Sequence, residues 1–153
     1  MIHEKIQLSP DKPVTMTTYV HDEFGAYDAR NGRPAIIILP GGAFAFLSPP
    51  ESEPVAITFM QKGFNTFVLD YTVGDNCRYP DVLIECSKAI QTVRDNATAW
   101  NIDPHRVYLM GFSAGACLAG VSATQWNDPV IAKALRVEPE YIRPDVAVMQ
   151  EGR

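Results

Sequence analysis

The chain has 153 residues, 46% hydrophobic and 20% charged, with a formal net charge of −5. That length allows one domain with a real core, and the composition is that of a globular protein rather than a disordered or membrane-embedded one. Scattered Lys and Arg argue against a nucleic-acid partner. The N-terminal MIHEKIQLSP has no apolar core of signal-peptide length, and no run approaches a membrane span.

Residues 2–8 and 14–20 read as two strands, punctuated by Pro10 and Pro13. A loop rich in glycine, aspartate and asparagine occupies 22–33. Ala35 to Leu39 (AIIIL) is a continuous apolar run ended by Pro40-Gly41-Gly42, as expected of a strand buried on both faces of a parallel sheet. Ser48-Pro49-Pro50-Glu51 predicts a capping box, opening a helix that turns Val55, Ala56, Phe59 and Met60 inward and stops at Gly63. Phe64 to Asp70 reads as the next strand. From Asp81 a helix carries apolar residues at 82, 86, 89, 90, 93, 97 and 100, a 3.6-residue period that Asn101 and Pro104 end. Val107 to Met110 form a short strand, and a helix of small residues follows Ser113. A short helix is expected over 129–135 and one more buried strand over 146–149. Strands alternating with helices, the strands continuously apolar, indicate an α/β fold with a doubly wound, mostly parallel sheet.

The chemistry centres on Gly111-Phe112-Ser113-Ala114-Gly115, a G-x-S-x-G between a strand and a helix. A serine at so tight a turn sits at a strained backbone angle, and Gly111 and Gly115 let strand and helix approach. Acyl transfer needs a serine nucleophile and two N–H donors for the developing oxyanion. Ser113 is the candidate nucleophile and the Ala114 N–H one donor. The other comes from the loop that holds Gly42 and Ala43, which follows a second buried strand. Three cysteines, Cys77, Cys86 and Cys117, are an odd number without C-x-x-C spacing. They suggest neither a disulfide framework nor a zinc site and fit reduced thiols in a cytoplasmic protein. No metal or organic cofactor is implied.

Leu39-Pro40-Gly41-Gly42-Ala43-Phe44, Glu51-Ser52-Glu53-Pro54-Val55-Ala56, Leu69-Asp70-Tyr71 and the run from Trp100 into the elbow together resemble the α/β-hydrolase superfamily. The likeness is greatest to its bacterial esterases similar to acetylxylan esterases and hormone-sensitive-lipase-type carboxylesterases, and covers roughly 34–127. It implies Ser113 as nucleophile, with Gly42 or Ala43 and Ala114 forming the oxyanion hole on neighbouring strands.

Three departures from that pattern stand out. Ala43 replaces a common glycine and restricts the backbone if that position needs positive φ. Ala116 and Cys117 replace glycine and histidine; Cys117 reads as a small buried helix residue. In this fold the triad runs Ser, Asp or Glu, then His, yet His3, His21 and His105 all precede Ser113. His105 sits at the far end of the nucleophile strand, and His3 and His21 read as solvated surface residues.

The strand over 146–149 would expose an apolar edge, and α/β domains often exceed about 200 residues. The expectation is the N-terminal portion of a hydrolase, a single partial domain without its acid and base, or else a short chain completed by a partner. The resemblance implies a serine esterase acting on small acyl or acetylated sugar esters, with Phe44, Phe46 and Tyr71 either lining its pocket or packing on the core. The alternative is a catalytically incomplete module that binds rather than reacts.

Overall fold

Apolar runs with both faces buried assemble into the centre of the fold. The computed structural model describes residues 1–24 and 31–151; half of the loop expected over 22–33 lies outside the described residues. The strands are β1 (Lys5–Gln7), β2 (Thr15–Tyr19), β3 (Arg33–Leu39), β4 (Asn65–Asp70), β5 (Ile102–Phe112) and β6 (Val146–Gln150). They form one sheet in the order β1-β2-β4-β3-β5-β6. β1, β2 and β4 pair antiparallel in succession, whereas β4, β3, β5 and β6 run parallel. The helices are α1 (Glu53–Met60), α2 (Asp81–Asp95), α3 (Ala114–Gln125) and α4 (Pro129–Leu135).

Side chains alternate across the central strands, and both faces are covered. Ile36, Ile38 and Val68 pack with Ala56, Phe59 and Met60 of α1. Ala35, Ile37, Leu39, Phe67 and Leu109 pack with Cys86, Ile90 and Val93 of α2 and Leu118 of α3. Strands wanted by helices on both sides need apolar residues at every position, which is why they read as unbroken runs. Phe67 is fully buried, its ring 5.3 Å from that of Trp100; burying such a side chain contributes about 1.5–3 kcal/mol.

Connectivity fixes the site. From β3 the chain crosses through α1 to β4 on one side, then through α2 to β5 on the other. The topological switch therefore falls between β3 and β5, and ligands of open α/β sheets bind beyond the carboxyl ends of the strands at such a point. The register pairs Leu39 with Gly111, so the loops after both strands leave the sheet side by side.

Several expectations are corrected. No capping box forms: Ser48 precedes a 3₁₀ turn, Pro49–Glu51, without a side-chain cap bond, and the helix proper begins at Glu53. The first strand shortens to Lys5–Gln7, with an isolated bridge between Ile2 and Val20. α2 stops at Asp95, although Ala97 and Trp100 stay buried in the turn beyond it. β5 starts at Ile102, because Arg33 of β3 pairs there across a bulge. β6, which the apolar run alone reads as buried, forms the exposed apolar edge that was also expected of it, with Val146 at 47%, Val148 at 41% and Met149 at 60% exposure.

Candidate active site

Ser113 stands between the last residue of β5 and the first of α3, with φ 53° and ψ −112°. Hard-sphere contacts leave little room there for a residue with a Cβ, so the turn holds Ser113 in a costly conformation. Its neighbours make the turn possible. A Cβ on Gly111 would lie 2.1 Å from the Gly115 carbonyl oxygen, and one on Gly115 would lie 1.9 Å from that of Leu39. β5, α3 and β3 thus meet backbone to backbone, and the Ser113 side chain is left exposed. The Ser113 N–H donates to the Gln150 carbonyl of β6 at 2.9 Å, while the Ser113 carbonyl accepts from Cys117 N–H at 3.1 Å. Ala114, first in its helix, has no intrahelical acceptor for its N–H.

The second loop lies against this turn. A Cβ on Gly41 would fall 3.2 Å from Ser113 Cβ and 2.9 Å from Glu51 Oε1. The Gly42 carbonyl accepts from Ala45 and Phe46 N–H at 2.9 and 3.2 Å, closing a turn. Among the described residues, the N–H groups of Gly42, Ala43 and Ala114 meet no hydrogen-bond acceptor. Three free amides around an exposed serine at the positive end of a helix make an anion-favouring patch.

Ala43 and Phe44 both take positive φ, 56° and 59°, the conformation in which Ala43 was expected to be restrictive. A residue with a Cβ costs about 1–2 kcal/mol there. Ala43→Gly is therefore expected to raise the unfolding midpoint by about 2–4 °C, the gain reduced by the freer unfolded chain. A thermal melt that moves downward would contradict this.

Packing from β4 and the segment after it holds the loop in place. Tyr71, buried, donates its hydroxyl to the Pro40 carbonyl. Its pKa is raised, first by burial and then by the neighbouring Cys77, Glu51 and Cys86, so the hydroxyl keeps its proton. The Phe44 ring meets Tyr71 edge-on at 6.2 Å, and Gly74 N–H donates to the Phe44 carbonyl at 2.6 Å. Thr72 in turn gives its N–H and hydroxyl to the buried carboxylate of Glu85, at 2.7 and 2.9 Å. Phe44 and Tyr71 are thus packing residues that shape the loop, whereas Phe46 is 58% exposed. Glu51, Tyr71 and Glu85 went unrecognised as loop supports, since only the Leu69-Asp70-Tyr71 and Glu51–Ala56 stretches marked their neighbourhood.

The histidines gather at the other edge of the sheet. His3 Nδ1 is 2.9 Å from the Thr18 carbonyl, beside the start of β4. His105 precedes Ser113 by about eight residues along β5, roughly 25 Å at strand rise. His21 is not a solvated residue as expected: half-buried, its Nε2 lies 2.9 and 3.1 Å from the Met60 and Phe64 carbonyls and donates to them. No histidine of the chain reaches Ser113. Cys117 is also corrected, being exposed on the first turns of α3. Among the described residues, no group of three or more His, Cys, Asp or Glu could hold a metal ion, and no helix is long and apolar enough to cross a membrane.

A parallel sheet with its switch point at a strand–serine–helix turn defines an α/β-hydrolase fold. Residues 24–148 match the BD-FAE family, and the chain belongs to it. It is 34% identical over 124 residues to endo-1,4-beta-xylanase B of Butyrivibrio fibrisolvens, covering 76% of this chain and 19% of that protein. To an acetylxylan esterase of Xylanibacter ruminicola it is 31% identical over 116 residues, covering 75% and 22%. An alpha/beta hydrolase enzyme from a Medee basin deep-sea metagenome library superposes with a TM-score of 0.83 at 35% identity, over 97% of this chain and 56% of that one. The chain thus spans about half of that solved structure and about a fifth of the two curated relatives.

Proposed function

We propose that Ser113 is the nucleophile of a carboxylic ester hydrolase acting on small acyl or acetylated sugar esters. The observation that carries this reading is the strained conformation of Ser113 beside three unpaired amides. Esterases among the relatives support the reaction class. Ser113 Oγ attacks the ester carbonyl carbon and gives up its proton to a general base. The tetrahedral oxyanion is held by Ala114 N–H and by Gly42 or Ala43 N–H. Its collapse breaks the bond to the alkoxide, which leaves as the alcohol after taking that proton. Water, activated by the same base, then attacks the acyl-enzyme and frees the acid. In this fold the base is a histidine oriented by a carboxylate, a role that His3, His21 and His105 are not placed to fill.

The test is prolonged treatment with an excess of a fluorophosphonate, followed by peptide mass spectrometry. The expected result is one slowly formed adduct, on Ser113, absent from Ser113→Ala. An adduct on another serine, or none after exhaustive treatment, sinks the assignment. The far-edge position of all three histidines favours a second reading, a module that binds esters without turning them over. Rapid hydrolysis of p-nitrophenyl acetate by this chain would exclude it.

A further inference from the structure

We propose that the Glu51 carboxylate recognises a cation at the site and selects acyl esters whose alcohol carries a positively charged ammonium group. This rests on Ser113 being the nucleophile and specifies the substrate of that same site. Glu51 ends the 3₁₀ turn Pro49–Glu51 and is half-buried. Its Oε1 lies 2.9 Å, and the Ser113 Cβ 3.2 Å, from the one point where a Cβ on Gly41 would stand. The carboxylate is therefore within about 6 Å of the Ser113 Cβ, the range over which charges act directly on each other.

The fold holds the carboxylate there. Ser48 N–H donates to the Gly41 carbonyl at 2.8 Å, and the Ser48 carbonyl accepts from Glu51 N–H at 3.1 Å and from Ser52 Oγ at 2.9 Å. Glu51 is thus tied through its own backbone to the loop that carries the Gly42 and Ala43 amides. Among the described residues its carboxylate meets no hydrogen-bond donor and no cation. It acts on Tyr71, whose pKa is raised first by burial and then by Cys77 and Glu51. The Tyr19 pKa is raised by burial and then by Glu53, so that second carboxylate acts elsewhere.

A carboxylate stripped of part of its water and left without a donor is costly, and a cation brought beside it recovers part of that cost. The amides of Gly42, Ala43 and Ala114 do not donate to it, so they stay available to the oxyanion. Two opposite features therefore stand side by side, donors for the negative oxygen and a carboxylate. A tetrahedral intermediate whose alcohol bears an ammonium is a zwitterion that matches both. An ester with a carboxylate on its alcohol brings like charge to Glu51 instead. At about 6 Å and an effective dielectric constant of about 40–80, one such pair changes a rate about three- to tenfold.

The test compares fluorophosphonates of similar size esterified with choline, 3,3-dimethylbutanol or 4-hydroxybutanoate, with Ser113 adducts followed by peptide mass spectrometry. In each reaction the Oγ–P bond forms, fluoride leaves and the hydroxyl proton passes to solvent. The wild-type chain is expected to react fastest with the choline reagent and slowest with the carboxylate. Its choline-to-dimethylbutyl rate ratio should exceed that of Glu51→Gln by about three- to tenfold, a comparison that removes the reagents' own difference in reactivity. That excess is expected to shrink in about 1 M salt, and Glu53→Gln to keep the wild-type ratio. Equal ratios in wild type and Glu51→Gln, or an excess untouched by salt, overturn the proposal. In a second arm acetylcholine and 3,3-dimethylbutyl acetate are titrated into the Ser113→Ala chain and followed by NMR. The preference for acetylcholine is expected to fall by the same factor when Glu51→Gln is added. A charge preference in binding without any Ser113 adduct keeps the role of Glu51 and removes the nucleophile. Adducts on Ser113 with no charge dependence in either arm keep the nucleophile and remove the role of Glu51.

Discussion

Gly115→Ala is expected to leave the chain without a cooperative folded state, while Gly120→Ala, five residues on in the same helix, stays folded. The alanine Cβ at 115 would sit 1.9 Å from the Leu39 carbonyl oxygen, 2.7 Å from its carbon and 2.9 Å from the Pro40 oxygen. All three atoms are backbone, so no side chain can swing aside. β3 itself cannot retreat, because β4 and β5 pair with it on either side. Separating α3 from β3 would open the packing of Leu118 and Ala119 against the main core. Such overpacking belongs with the mechanisms that cost more than about 4 kcal/mol, a large part of the roughly 5–15 kcal/mol that holds a domain together. At Gly120 the added Cβ meets only the Met149 sulfur, at 3.0 Å, the end of a flexible and exposed side chain. Better helix propensity offsets that contact, and a change within about 1 kcal/mol is expected. Urea unfolding of both variants checks the contrast; equal midpoints would show that the close approach of α3 to β3 is not needed.

The elements that were legible in the sequence share one property: their residues answer to local period. β3 reads as an unbroken apolar run over 35–39 because helices cover both faces, and α2 reads from its 3.6-residue spacing because the residues at that period pack on the sheet. The elbow was legible because close backbone contacts demand small residues at fixed positions. What stayed hidden depends on distant partners. His21 looks like a surface histidine until the Met60 and Phe64 carbonyls, about forty residues away, arrive at its Nε2. Cys117 was misplaced because α3 is small and apolar all round, so its composition does not say which side faces the sheet. Glu51 fits a capping box by spacing, yet its carboxylate turns towards Gly41. The run Val146 to Met149 has the composition of a buried strand, and burial requires a neighbour that composition cannot supply.

Gly42→Ala is expected to slow fluorophosphonate labelling of Ser113 by about 10²–10³-fold, with a stability loss of only about 1–3 kcal/mol. Gly42 has φ 138°, a region that residues with a Cβ rarely enter, and the added Cβ would lie 2.0 Å from the Phe46 carbonyl oxygen. The turn closed on the Gly42 carbonyl by Ala45 and Phe46 N–H must then open or tilt. Its backbone carries the Gly42 and Ala43 amides, so their direction changes with it. Loss of one well-aimed donor to a tetrahedral oxyanion accounts for a factor of that size. The stability cost stays small because Ala43, Ala45 and Phe46 are exposed, and the anchors of the loop lie elsewhere. Tyr71 still holds the Pro40 carbonyl, and Ser48 N–H still bonds the Gly41 carbonyl at 2.8 Å. The two readouts therefore separate: a melt shows the variant folded, and mass spectrometry follows its adduct. Wild-type labelling in a folded Gly42→Ala chain would place the second oxyanion donor outside the 42–43 turn. A parallel collapse of stability and labelling would make that turn part of the fold's support rather than of its chemistry.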